Sequence, residues 1–380
     1  MKNNINNWES EIILPEKGQD IQHAYMELGS DEVVECTKEE LMKLLGSNKK
    51  KLSYITTPEH DGFIIPGSDY FSLEPILYLK SGNLEDDINS NKPVFYLGLG
   101  LIIFNFFMGG LRTNSISIIM LVLVILPHIE RLFELKKING INESNFLSES
   151  QDIKFSHWLS LKKIKSIFAI TAIVLFVYVF QFYLGTLESA EIAGLDKIKT
   201  INGEYWRILT AIMMHANIPH VLINGLVLFY IGSMVIRITN LYVFGLVSLF
   251  SGVLGNLFSV YFVPTGISVG ASGAIMGLIG FVIVMGIKLK KSMPQKVTSS
   301  MIRVVVLTAF LGLVAWDVID NAAHAGGLIG GIMMGFIILS RHHSCIPIKT
   351  NFVIKSFGFL SLVILLAGFL LLMWIFSQSL

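Results

Sequence analysis

Charge is scarce in this chain. Asp, Glu, Lys and Arg make up 15% of its 380 residues against 53% hydrophobic residues, too few to cover a water-soluble globule of this size. Cysteine is nearly absent as well. Cys36 and Cys345 lie far apart, in segments whose flanking charges place them on the cytoplasmic side, which excludes a disulfide framework and any metal site made of cysteines alone. The net charge of +1 carries no nucleic-acid footprint, because Lys and Arg gather in clusters between apolar runs, which is a topology signal. The opening stretch, MKNNINNWESEIILPEKGQD, has no apolar run of signal-peptide length, so neither cleavage nor export is expected. With no organellar transit signature either, the expected location is a bacterial cell membrane.

What is there in quantity is apolar helix. Crossing about 30 Å of hydrocarbon takes roughly 20 residues, and by that ruler about nine segments qualify: 93–110, 114–130, 165–186, 216–236, 240–262, 271–288, 301–316, 320–340 and 354–377. The first two are short and joined by GGLRTNS, as in a hairpin or a re-entrant pair. Basic clusters follow the second span (Arg131, Lys136, Lys137, Lys154, Lys162, Lys163, Lys165), fill KLKKSMPQK, and recur at Arg341, Lys349 and Lys355. Nine spans with an inner N-terminus put all three clusters on one side, as the positive-inside rule requires. The loop 187–214 then lies outside.

Residues 1–92 read as a small cytoplasmic α+β domain. In TKEELMKLLGS, Thr37 and Glu40 have capping-box spacing and Gly46 marks a stop. KLSYITT and PILYLKSG read as strands between Pro and Gly turns. The expected organisation is therefore a soluble domain at 1–92, a transmembrane hairpin at 93–130, a basic cytoplasmic linker at 131–164, a helical core at 165–340, and a linker with one extra helix at 341–380. The fold class is all-α polytopic, with that small α+β appendage.

Strongly polar groups inside spans are costly and tend to be functional. Three clusters stand out: HANIPHVLIN with His215, His220 and Asn224; GASG with Ser272; and NAAHAGGLIGG with His324. A serine hydroxyl becomes a nucleophile only when a base takes its proton and donors stabilise the resulting oxyanion. Ser272 and His324 each begin a span that starts near the outer face, so they share a depth. His220 and Asn224 are one helical turn apart and share a face, where ring and amide N–H groups can line an oxyanion hole together with the Ser272 backbone N–H. Gly273, Gly277 and Gly280 follow the serine, and Gly327, Gly331 and Gly335 recur every four residues after the histidine, in small-residue ridges that let helix backbones meet. A serine between glycines also serves plain packing, and a lone intramembrane histidine can be structural. Packing alone does not call for two histidines and an asparagine beside them.

Other membrane chemistries fail on spacing. His215 and His220 are five apart with no Glu between them, unlike H-E-x-x-H. Asp317 and Asp320 lie at the edge of a span, not paired within one. Ala274 stands where a G-x-S-x-G elbow needs glycine. A transporter with a broken helix predicts internal repeats and spaced intramembrane charges, and neither is visible. Asp320, four before His324, has two readings, third member of a triad or helix cap, and its place at the watery end of the span favours the cap.

EYWRILTAIMMHANIPHVLINGLVLFYIG, GASGAIMG and AHAGGLIGG, in that order, resemble the rhomboid intramembrane serine proteases over residues 165–340. The resemblance implies a six-helix core, Ser272 as nucleophile and His324 as base, with His220 and Asn224 at oxyanion-stabilising positions. It implies structural places near the site for His215, Trp206, Arg207, Gly270, Gly273, Met276, Gly327 and Gly331. The substrates implied are transmembrane proteins in the lipid bilayer, with no cofactor, no metal and no nucleic acid. Met276 departs from the family habit of an aromatic four residues after the serine, and Ile236 from an acidic residue after the glycine matched by Gly232. Read from its own residues, Trp206–Arg207 beside Glu204 looks like an interfacial anchor. The alternative function is a rhomboid-like scaffold that binds membrane proteins without cutting them.

Overall fold

The computed structural model describes residues 8–18, 20–28, 30–47, 52–108, 125–139, 143–162, 164–339 and 346–379. They divide into two compact units, Met1–Leu161 and Lys162–Leu380.

The first unit carries a three-stranded antiparallel sheet in the order β2-β1-β3, made of β1 (Ala24–Glu27), β2 (Val34–Glu35) and β3 (Leu52–Thr56). Helix α1 (Lys38–Leu45) starts at the expected capping box: Thr37 Oγ1 accepts from the Glu40 N–H and the Glu40 carboxylate accepts from the Thr37 N–H. Leu41 and Leu45, four apart on one face, pack on Tyr25 and Ile55 of the sheet.

PILYLKSG is not a strand. Those residues belong to α2 (Tyr70–Met108), which starts where Asp69 Oδ1 accepts the Ser72 N–H at 3.1 Å. Leu73 is buried and Ile76 joins the α1–sheet cluster, so helical spacing of apolar contacts overrides the strand preference of Ile and Tyr. The helix tolerates Pro75 and Pro93 in its interior and runs unbroken through residue 92. The expected span 114–130 lies outside the described residues except for its end, where α3 (Leu126–Ile138) begins with proline in its first turn. Arg131 and Glu134 of α3 pair with Asp87 and Lys80 of α2, and α4 (Glu143–Leu161) closes the unit.

The second unit begins with α5 (Ser166–Leu184). The segment expected as a loop is instead a chain of short elements: α6 (Thr186–Ala193), β4 (Leu195–Asp196), α7 (Lys197–Ile201), α8 (Arg207–Thr210) and a 3-10 turn at Ala211–Met213. Then come α9 (Ile218–Ile238), α10 (Leu241–Phe262), β5 (Ile267–Ser268), α11 (Ser272–Lys288), α12 (Gln295–Val314), α13 (Asn321–Ile338) and α14 (Phe352–Ser377). Among the described residues, α5, α9, α10, α12, α13 and α14 are long and apolar enough to cross a membrane, and α11 is a shorter apolar helix. This is a mostly helical, multi-span membrane protein. Its α12 starts six residues before the expected 301, at Gln295, with Pro294 at the N-cap.

Helices α10, α11 and α13 form the centre. Nearly all of α11 is buried, from Gly273 to Gly286. Helix α14 lies along α10, with Gly358 against Tyr242 and Leu362 against Gly245, and it sends Leu372 and Phe376 into a core with Val177, Ala193, Met213 and Met214.

Candidate active site

Ser272 is the first residue of α11, and no side chain caps that helix. The first intrahelical bond is Ile275 N–H to Ala271 O at 3.0 Å, which leaves the N–H groups of Ser272, Gly273 and Ala274 without intrahelical acceptors. The positive end of the helix dipole thus lies at the hydroxyl. Gly270 delivers the chain to this point with φ +143°, a backbone state that side-chain-bearing residues rarely adopt. His324 lies in the first turn of α13, where its N–H bonds Asp320 O at 3.1 Å. Ser272 and His324 are both half-buried.

Glycine sets how near these two helix ends come. A Cβ on Gly327 would overlap the carbonyl oxygen of Gly273, and one on Gly331 would overlap that of Gly277. A Cβ on Gly273 would stand 3.4 Å from Ala323 O. The residue after Ser272 and the residue before His324 are thus in van der Waals range. Gly255 of α10 adds a third backbone, its Cβ position 2.7 Å from Ala323 O. Among the described residues, no hydrogen bond reaches Ser272 Oγ or the His324 ring, and His324 Nδ1 is buried without a partner. Met276 is buried one turn along α11.

His220 and Asn224 sit on the first two turns of α9, whose N-cap is Asn217; its side chain accepts the His220 N–H at 2.9 Å. The Ala216 N–H donates to His220 Nδ1 at 3.4 Å, so a neutral ring carries its proton on Nε2. That nitrogen is 3.1 Å from the point a Cβ on Gly270 would occupy, and Ser272 Oγ is 3.6 Å from the same point. The structure therefore brings His220, Gly270 and Ser272 around one small volume. Asn224 is 7% exposed and its Nδ2 is buried with no hydrogen-bond partner, leaving a donor in reserve.

His215 does not face solvent at all, and both its ring nitrogens lack partners. Its ring meets that of His220 edge-on, centroids 5.1 Å apart. Burial, and then the nearby His220, push its pKa down to about 3, with the Met213 backbone acting weakly against that shift. Gln181 of α5 fixes its backbone from both sides, accepting the His215 N–H at 2.8 Å and donating to His215 O at 3.2 Å. Arg207 is no interfacial anchor. It is 3% exposed and donates to Gly194 O at 2.8 Å, Glu191 O at 3.3 Å and the Glu204 carboxylate at 2.7 Å, with Trp206 against its guanidinium. A buried guanidinium has to spend its donors on the chain around it, and here that chain is the segment between α6 and α8.

Asp320 caps α13, accepting the Ala323 N–H on Oδ1 at 2.9 Å. Its Oδ2 accepts from Ser268 Oγ at 2.6 Å and from Ser259 Oγ. Lys197, 2% exposed, donates to Ser268 Oγ at 2.5 Å and stands 4.0 Å from Asp320 Oδ2. Burial pulls the Lys197 ammonium below the usual lysine range, with Asp320 acting against that shift. Lys197, Ser268 and Ser259 are not legible in the sequence as site residues: Lys197 lies in a segment expected as a loop, and only folding takes it out of water. Gln181 carried a legible signal, a polar side chain within an apolar run.

A multi-span helical core with a serine and a histidine at two glycine-packed helix ends is the class defined by this geometry. Residues 202–341 match the family model described as the Rhomboid domain, and the chain belongs to the rhomboid family. It is 34% identical over 196 residues to RHOMBOID-like protein 4 of Arabidopsis thaliana, a match covering 49% of this chain and 50% of that protein. It is 36% identical over 129 residues to Rhomboid protease GluP of Bacillus subtilis, covering 34% and 25% of the two chains. YdcA of the same bacterium is 30% identical over 141 residues, 37% of this chain and 70% of its own length. The chain thus spans half of the plant relative and a quarter of GluP.

Proposed function

We propose that this protein is an intramembrane serine endopeptidase that cuts transmembrane segments of other membrane proteins near the outer face, with its N-terminal unit on the cytoplasmic side. The observation that carries the reading is the backbone contact of Gly273 with Gly327 and Ala323, which starts the side chains of Ser272 and His324 from adjoining points.

In this reading His324 Nε2 takes the Ser272 hydroxyl proton as Oγ bonds to the substrate carbonyl carbon. The oxyanion that forms meets the Ser272 and Gly273 N–H groups at the helix N-terminus, His220 Nε2–H and the Asn224 amide, donors already in place before charge develops. Collapse breaks the C–N bond while His324 returns the proton to the leaving amine. Water then attacks the acyl ester with His324 as base again, releasing the carboxylate product and restoring the hydroxyl. The unpartnered His324 Nδ1 favours a dyad over a triad. Similarity to the rhomboid protease GluP supports the same chemistry.

The test compares membrane-protein fragments released by wild type, Ser272→Ala and His324→Ala, with each variant folded in the membrane. Each substitution is expected to abolish cleavage, and the double variant to be no worse than either single one, because members of a catalytic unit are non-additive. Substantial proteolysis by Ser272→Ala would overturn the assignment of Ser272 as nucleophile, and no release of fragments by wild type would favour a binding scaffold.

A further inference from the structure

A buried charged cluster lies beside the proposed dyad without joining the reaction. Lys197, at the start of α7, donates to Ser268 Oγ at 2.5 Å, and Ser268 donates to Asp320 Oδ2 at 2.6 Å. Ser259, fully buried near the end of α10, donates to the same oxygen. Four chain segments meet here: the segment after α6, the last turns of α10, strand β5 and the cap of α13. Ser268 is four residues before Ser272, and Asp320 is four residues before His324. The two bearers of the dyad are therefore tied to one another upstream of the reacting side chains. Strand β5 is held on its other side by β4, through the register Leu195↔Ser268 and Asp196↔Ile267.

A lysine is a poor choice for stability at 2% exposure. A well-packed apolar side chain of similar length would serve as well or better, because a buried ion pair roughly breaks even at best against its desolvation. Displacing a reacting group by about 1 Å can cost about 100-fold in rate, so a tether at this place has a kinetic use that an apolar contact lacks.

We propose that Lys197 is a positioning residue: through Ser268 it draws the strand leading to Ser272 onto the carboxylate that caps the His324 helix, and so fixes the distance between hydroxyl and imidazole. The inference rests on the dyad reading above.

The experiment uses the full chain, purified, with three readouts: thermal midpoint, turnover and KM on one transmembrane substrate, and the rate at which a fluorophosphonate probe labels Ser272. Lys197→Met is expected to lower both turnover and labelling at least tenfold, with KM within about twofold of wild type. It leaves a half-buried carboxylate without its cation, so its midpoint should fall too. In Lys197→Met/Asp320→Asn both charges are gone; the midpoint should recover while turnover stays low, because the tether is still missing. Recovery of turnover together with the midpoint would make Lys197 a charge balancer and overturn the proposal, as would wild-type turnover in Lys197→Met. Should Lys197→Met fail to fold, Ser268→Ala decides, since it keeps both charges and removes the bridge: several-fold slower labelling at an unchanged midpoint supports positioning, and unchanged labelling refutes it. Loss of all labelling in Ser272→Ala shows that the dyad reading stands whichever way the Lys197 variants behave. Labelling that persists in Ser272→Ala removes that reading instead.

Discussion

Asp320 sits one helical turn before His324, and its carboxylate bonds Ser268, not the imidazole. Both of its oxygens are occupied, Oδ1 by the Ala323 N–H and Oδ2 by the Ser268 and Ser259 hydroxyls, while His324 Nδ1 has no partner. An orienting aspartate would accept a hydrogen bond from that nitrogen; this one caps a helix. Asp320→Asn should therefore lower cleavage by about 10 to 100-fold, the scale of a reacting group displaced by about 1 Å when the carboxylate that holds Ser268 is lost, while an amide oxygen still accepts the Ala323 N–H. A triad aspartate would cost about 10,000-fold. Turnover on one purified transmembrane substrate at matched protein levels distinguishes the two.

Asn224 offers a buried donor with nothing to bond, and such a group costs stability until a ligand uses it. Asn224→Ala should lower turnover by about 100 to 1,000-fold, the range for one oxyanion donor, with KM nearly unchanged. The thermal midpoint should hold or rise. A raised KM at constant turnover would instead make Asn224 a substrate contact.

Gly270 is constrained twice, by φ +143° and by the His220 ring 3.0 Å from where a Cβ would stand. Gly270→Ala should cost about 1–3 kcal/mol in backbone strain and push His220 away from Ser272. Turnover should fall by at least the factor seen for His220→Ala. An active, fully stable Gly270→Ala would contradict the placement of His220.

His215 gives a pH signature. Its pKa is depressed to about 3 in the fold, against 6.5 when unperturbed, so between those values the unfolded chain binds the extra proton and stability rises with pH. The contribution is complete above about 6.5 and is lost as the pH falls towards about 3. The midpoint of His215→Phe, which leaves no buried ring nitrogen unpaired, should fall less steeply than that of wild type over this window. Parallel profiles would mean that His215 takes up its proton while folded.

Much of this architecture is legible along the chain. The seven apolar helices of the second unit lie where the bilayer ruler puts them, because an unsatisfied backbone in hydrocarbon leaves helix as the way across, and length and apolarity are local properties. The capping box at Thr37 and Glu40 is local in the same sense. The candidate residues were legible for a related reason: Ser272, His324, His220 and Asn224 are polar in apolar surroundings, and glycine repeats announce which helix faces meet. The tertiary structure decided what depends on non-local contact. It turned PILYLKSG into helix, because Ile76 found partners on α1 and the sheet. It folded the polar segment 187–214 around a buried Arg207. It also took Lys197 out of water and set it against Ser268 and Asp320, 71 residues away in the first case. A sequence shows that a charge is present; whether water or another chain segment neutralises it is settled only when the backbone has brought the two together.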